Sequence, residues 1–255
     1  MAEARVRDRI DVAPRFTTAD AIRLNNMFRG VEPVEMLRVL LGENMLGDVA
    51  VVSSFGAESA VLLHMIATAA PATPVLFLDT GKHFPETLAY GGDLVERLGL
   101  TDLRILTPDP ATILKKDETG LRWSYDPDGC CEIRKVVPLE TALASFDASI
   151  TGRKGFQSAT RSGLPRFEID GDRLKVNPLA NWTKADLDAY FEAHDLPRHP
   201  LEAEGYPSIG CAPCTSKVKP GEDPRAGRWR GWDKVECGIH VPVADPDDPA
   251  NQPVF

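Results

Sequence analysis

The strongest constraint in this chain is a repeated change of hydrophobic period. Between residues 49 and 152, short apolar, β-branched runs alternate with stretches of helical spacing, and polar, glycine-containing turns separate them. Residues 49–54, 74–79, 102–107 and 149–152 predict strands, and 59–69, 86–98 and 130–146 predict helices. Strands alternating with helices bury both faces only as an α/β fold, a parallel twisted sheet with helices on both faces. In such sheets ligands bind outside the carboxyl ends of the strands. The segments 53–59, 79–83 and 151–153 fall at those ends, which points to a site there.

Around this unit the chain changes character. Residues 17–41 carry apolar positions at helical spacing, interrupted near Gly30, and predict two short helices. Residues 166–177 predict an appended hairpin turning at Asp170-Gly171. Residues 183–194 predict a helix whose Thr183 and Asp186 have capping-box spacing. From about Pro197 the helical period disappears and Pro and Gly rise. The expected organisation is N-terminal helices over 1–44, a nucleotide- and cluster-binding α/β domain over 45–219, and a loop-rich C-terminal tail over 220–255. Gly227, Gly231 and Gly238 are soft backbone positions that predict a mobile tail.

Composition excludes several classes. The 255 residues are 43% hydrophobic and 26% charged, ordinary for a globular chain and unlike a disordered one. The most apolar stretch, 60–78, is broken by His64, Pro71 and Pro74, so no membrane partner is expected. The first residues alternate charges and lack a signal-peptide core, which predicts a cytoplasmic address. A net charge of −9 argues against a nucleic-acid partner, since that binding needs a basic surface. Small anionic ligands remain open, because basic residues cluster locally at 153–161 and 217–234.

Ser54, Gly56 and Ser59 lie between a predicted strand and a predicted helix, where backbone N–H groups and hydroxyls can hold an anion. A plain serine-capped turn is the competing reading. The segment resembles the SGGxDS loop of PP-loop ATP pyrophosphatases, with Phe55 in place of a glycine, so it should hold one phosphate-like group and hold ATP badly. Leu78, Asp79 and Gly81 follow the second strand and suit a ribose or base edge; His83 reads as a surface or capping residue.

The five cysteines are Cys130, Cys131, Cys211, Cys214 and Cys237. An odd number in a chain without a signal peptide argues against a disulfide framework. Adjacent helical side chains point about 100° apart, which suits a cubane with separate irons better than one tetrahedral ion. An iron–sulfur site is therefore favoured for the four paired cysteines, with zinc or unmetallated thiols as the other readings. Cys237 is left over, flanked by Lys234 and His240, and positive charge raises the thiolate fraction of a thiol.

Together SFGAES (54–59), LDTGKHF (78–84), CCEIRK (130–135), TGRKGFQSATR (151–161), YPSIGCAPCT (206–215), RAGRW (225–229) and ECGIH (236–240) resemble the assimilatory sulfonucleotide reductases. The resemblance covers about residues 45–241. It implies a PP-loop, adenine nucleotide α-hydrolase-like fold and a [4Fe–4S] cluster on Cys130, Cys131, Cys211 and Cys214. It also implies an oxidoreductase of sulfate assimilation and cysteine biosynthesis that converts adenosine 5′-phosphosulfate to sulfite and AMP. Cys237 would be the nucleophile and carry an S-sulfocysteine, which thioredoxin or glutaredoxin then resolves. Substrate would meet Ser54, Gly56, Ser59, Leu78, Asp79, Gly81, Lys135, Gly152, Arg161, Arg225, Arg228 and His240. The resemblance allows a homo-oligomer. The alternatives are a reductase of the 3′-phosphorylated nucleotide, one of dual specificity, or a PP-loop sulfate adenylyltransferase small subunit.

Overall fold

The computed structural model describes residues 13–157, 163–234, 236, 238 and 239. Strands β1 (Val49–Ser53), β2 (Val75–Leu78), β3 (Leu103–Leu106), β4 (Ala148–Thr151), β5 (Phe167–Asp170) and β6 (Arg173–Val176) form one sheet. Its order is β3-β2-β1-β4-β6-β5. The pairs β1–β2, β2–β3, β1–β4 and β4–β6 are parallel. Every residue of β2 and β4 is buried, which explains why β2 reads as a continuous apolar run. Strand order reverses beside β1, with β2 on one side and β4 on the other, and the crevice at that reversal is where such sheets bind ligands.

Helices cover both faces as expected. They are α1 (Thr18–Met27), α2 (Pro33–Gly42), α3 (Ser59–Ala69), α4 (Pro85–Leu98), α5 (Pro110–Lys116), α6 (Pro127–Cys131), α7 (Val137–Leu143), α8 (Lys184–Ala193) and α9 (Pro200–Ala203). Met36, Leu37, Leu63, Leu94, Leu187 and Phe191 pack with Val51, Phe77 and Ile150 on one face. Leu139 and Leu143 of α7 pack with Ala50, Leu76 and Leu78 on the other. Helices α1 and α2 share the larger core with the sheet. Complete capping boxes at Thr17/Asp20 and Thr183/Asp186 start α1 and α8.

Two expectations need correction. The hairpin at 166–177 is no appendage, because β6 pairs in parallel with β4, aligning Ile150 with Val176. Leu174 and Val176 are completely buried and complete the core. The sheet is therefore mixed, since edge strand β5 runs antiparallel to β6. The turn falls one residue later, with Gly171 at φ 59°.

The second correction concerns 130–146. The segment starts earlier, at Pro127, and consists of α6, a π-helical turn over Glu132–Val136, and α7. Pro127 suits a first-turn position, and Asp126 accepts a hydrogen bond from the Gly129 N–H at 2.8 Å. The wide turn accompanies a tether: Arg134 donates to the Thr80 carbonyl at 2.8 Å and to Asp117 at 2.7 Å. Those contacts hold the guanidinium toward β2 rather than along a regular helix.

Candidate active site

A cleft of about 1780 Å³, measured out to open solvent, opens at the carboxyl ends of β1, β2 and β4. Ser54, Gly56 and Ser59 line it from the β1–α3 turn, Leu78 from the end of β2, and Gly152 from beyond β4. Lys135, Arg225 and Arg228 reach it from the π-turn and the C-terminal segment. Asp79 and Gly81 do not line the cleft. They form the turn beneath it, in which Asp79 accepts from the Gly81 N–H at 2.9 Å and Gly81 takes φ +67°.

Phe55 resolves the departure from a glycine loop. Its backbone sits at φ 47°, the left-handed region that costs a bulky residue about 1–2 kcal/mol. Its ring is 1% exposed and packs edge-on against Phe77, with centroids 5.0 Å apart. Gly91 of α4 makes the room, since a Cβ there would lie 3.1 Å from the ring. The side chain thus plugs the core and leaves the cleft clear. The steric reason for expecting weak ATP binding falls away.

The four paired cysteines converge. Cys130, Cys131, Cys211 and Cys214 line one narrow cavity together with Trp123, Arg134 and Lys135. The first pair ends α6, which the Arg122–Asp126 ion pair at 2.7 Å and the Asp126 cap hold in place. The second pair sits in a short loop anchored by an antiparallel bridge between His83 and Cys211. The Ala212 N–H also donates to the Lys82 carbonyl at 2.8 Å. Burial pushes the thiols of Cys130 and Cys214 up. Burial acts the same way on Cys211, but the Lys135 charge, the Thr80 hydroxyl and Arg228 outweigh it and bring that thiol down. Thr80 Oγ1 lies 3.3 Å from Cys211 Sγ.

Thiol cavity and cleft share a wall. Lys135, Arg228 and Trp229 line both. Arg228 is held across Gly210, where a Cβ would collide with its guanidinium. Its Nη1 donates to the Ile209 carbonyl at 3.3 Å and its charge lies 4.5 Å from the Trp229 ring centroid. The Trp229 N–H in turn donates to the Cys214 carbonyl at 3.0 Å. Arg225 pairs with Glu236 at 3.4 Å, and Glu236 and Ile239 also line the cleft. Cys237, His240 and Arg161 lie outside the described residues.

Sequence reasoning missed several cleft residues. His83 donates from Nε2 to the Leu78 carbonyl at 2.8 Å and lines the cleft, so it is neither a cap nor a surface residue. Glu58, Lys154, Gln157, Lys184 and Glu202 also line it. The last two come from α8 and α9, and nothing in their local sequence signals a site. Glu58 was available as the carboxylate inside SFGAES.

A mixed, mostly parallel α/β sheet with a cleft at its strand-order reversal and a four-thiol cavity alongside defines a protein of the PP-loop, adenine nucleotide α-hydrolase-like class. Residues 48–217 match the phosphoadenosine phosphosulfate reductase domain, and the chain belongs to that family. An adenosine 5′-phosphosulfate reductase of Mesorhizobium japonicum is 48% identical over 241 residues, covering 94% of this chain and 95% of that protein. A phosphoadenosine 5′-phosphosulfate reductase of Gloeobacter violaceus is 44% identical over 201 residues, covering 76% and 83%. The crystal structure of a phosphoadenylyl-sulfate reductase from Candida auris, in its phosphate complex, matches with TM-score 0.68 and 26% identity. That match covers 81% of this chain and all of the other.

Proposed function

We propose that this chain is an oxidoreductase of sulfate assimilation that reduces adenosine 5′-phosphosulfate to sulfite and AMP. The observation that carries this reading is the shared wall of Lys135, Arg228 and Trp229 between cleft and thiol cavity. Cations at that wall suit the phosphosulfate, so the reacting sulfur lies at the end where Glu236 and Ile239, the neighbours of Cys237, line the cleft. Arg225, Arg161 and His240 are assigned the remaining substrate contacts. Ser54, Gly56 and Ser59 contact the nucleotide between the ends, and adenosine follows Leu78 and Gly152 above the Asp79–Gly81 turn.

In the first step the Cys237 thiolate attacks the sulfate sulfur and the sulfur–oxygen bond to AMP breaks, which leaves Cys237 S-sulfonated. A thiolate of a protein dithiol such as thioredoxin or glutaredoxin then attacks Cys237 Sγ and expels sulfite. The partner's second thiol resolves the mixed disulfide. The dithiol supplies the two electrons, and Cys237 returns as thiolate.

The donor set of the thiol cavity fits a [4Fe–4S] cluster on Cys130, Cys131, Cys211 and Cys214. Four thiols line one cavity, the number of thiolates such a cluster takes. A bound cluster would supply local charge that tunes Lys135 and the anion beside it. No helix of the described residues is long and apolar enough to cross a membrane.

The test is sulfite release from adenosine 5′-phosphosulfate with a protein dithiol as reductant. Turnover with one AMP per sulfite is expected. ATP–pyrophosphate exchange without sulfite would replace the reading by an adenylyltransferase.

A further inference from the structure

After Arg228 the chain runs along the thiol cavity and touches the elements that carry both cysteine pairs. Trp229 is buried at φ 46° and donates its N–H to the Cys214 carbonyl at 3.0 Å. Lys234 then pairs with Asp128, which lies in α6 just ahead of Cys130. Its ammonium also sits 5.5 Å from the Trp229 ring centroid. The Lys234 side chain is 7% exposed against 79% for Asp128, so the cation is covered and its carboxylate partner faces solvent. Past Cys237, a Cβ on Gly238 would lie 3.2 Å from Val136 Cγ2 of the π-turn. Ile239 packs against the cluster of Leu78, Leu139 and Leu143. An ionic anchor on one side of Cys237 and an apolar one on the other therefore hold its neighbours.

We propose that Lys234 is a positioning residue for the first chemical step, tying the segment that carries the nucleophile to helix α6. This deepens the reading of the site as a sulfonucleotide reductase and rests on it. Three residues of chain span about 10 Å at full extension, so an anchored Lys234 narrows the volume that Cys237 Sγ can search. Placement of this kind speeds attack on a bound partner, and a shift of about 1 Å can cost roughly a hundredfold in rate. In the sequence Lys234 reads as a charge that activates the neighbouring thiol. The structure engages that charge with Asp128 and Trp229, which suits it to holding the chain.

The two steps of the reaction make unequal demands on this anchor. Attack on the sulfate sulfur needs Cys237 Sγ aligned with a nucleotide fixed in the cleft. In the second step a protein dithiol brings its own thiolate to Cys237, and alignment with the cleft is no longer used. Loss of the anchor therefore slows S-sulfonation and spares sulfite release.

The experiment follows each step separately on the full chain. AMP released from adenosine 5′-phosphosulfate without reductant reports the first step. Sulfite released by thioredoxin from the isolated S-sulfonated protein reports the second. Lys234→Met keeps an apolar stem over Trp229 and should slow the first step about 10- to 100-fold. The second step, AMP affinity and iron content should stay at native values. Lys234→Arg should recover most of the rate, and Asp128→Asn, at an exposed side chain, should slow the same step. Equal slowing of both steps, iron loss from Lys234→Met, or a native first step in both uncharged variants overturns this inference alone. A native chain that releases no AMP overturns the functional reading and this inference with it.

Discussion

Asp117 and Arg134 form an ion pair at 2.7 Å with side-chain exposures of 0% and 9%, beside the turn that follows the tandem cysteines. Burial alone would raise the Asp117 carboxyl, but the Arg122 N–H and the Arg134 guanidinium outweigh it and hold it below its usual range. The same guanidinium lines the thiol cavity and ties the π-turn to the Thr80 carbonyl. The pair therefore connects the stability of the domain to the placement of Cys130 and Cys131.

Asp117→Ala should destabilise the fold by roughly 3–5 kcal/mol, because it strands a buried guanidinium. Denaturant unfolding gives the loss. Native-state thiol titration should show Cys130 and Cys131 reacting faster in this variant. A change under 1 kcal/mol with unaltered thiol rates would show that Arg134 finds another partner.

The legibility of this fold followed burial. Helix α3 spans Ser59–Ala69, as its spacing predicted, because six of its residues pack into the core and leave one solution. β6 was harder: Leu174 and Val176 look the same in an isolated hairpin as in a sheet, and only pairing with β4 separates the two. The π-turn at 132–136 was invisible, since its tether to Asp117 and Thr80 spans a long sequence separation. In the site, the cysteine spacings foretold the shared cavity because thiol chemistry restricts where cysteines occur. Lys184 and Glu202 look like ordinary helix-surface residues until the fold brings them to Glu58.

His199 should make stability depend on pH. It is 1% exposed, its Nδ1 accepts from the Leu201 N–H at 3.2 Å, and its Nε2 faces Thr87 Oγ1 at 3.0 Å. Burial holds the imidazole neutral with a pKa of about 4, against an opposing pull from Glu86. The unfolded chain protonates near pH ~6.5 while the folded chain resists. Stability is therefore full above that value and falls as pH drops toward about 4, by on the order of 2 kcal/mol. Denaturant midpoints from pH 7.5 to 4.5 should show this slope. His199→Gln should flatten it; an identical slope in the variant would assign the effect to other groups.

Gly210 should matter through Arg228. A methyl group at residue 210 occupies the place of the guanidinium, so Gly210→Ala should push Arg228 out of the shared wall. Contacts of this charge-assisted kind contribute roughly 1.5–3 kcal/mol. The variant should bind adenosine 5′-phosphosulfate about 10- to 100-fold more weakly and AMP nearly normally, matching Arg228→Met. Equal losses for both nucleotides would place Arg228 against the phosphate that AMP retains rather than the sulfate.

The division of the cysteines into four and one gives the sharpest separation of phenotypes. Cys130, Cys131, Cys211 and Cys214 line a common cavity, whereas the neighbours of Cys237 line the nucleotide cleft. Cys237→Ser should abolish sulfite release, since a serine hydroxyl is a far weaker nucleophile than a thiolate. It should leave AMP affinity, iron content and visible absorption at native levels. Cys131→Ser should lose iron and colour, because three thiols remain for a four-iron group. Activity should fall with the iron, as the wall carrying Lys135 and Arg228 loses its backing. Iron analysis and absorption spectra on freshly purified proteins, beside sulfite assays, decide the matter. Iron loss in Cys237→Ser, or full colour in Cys131→Ser, would require a different grouping of the thiols.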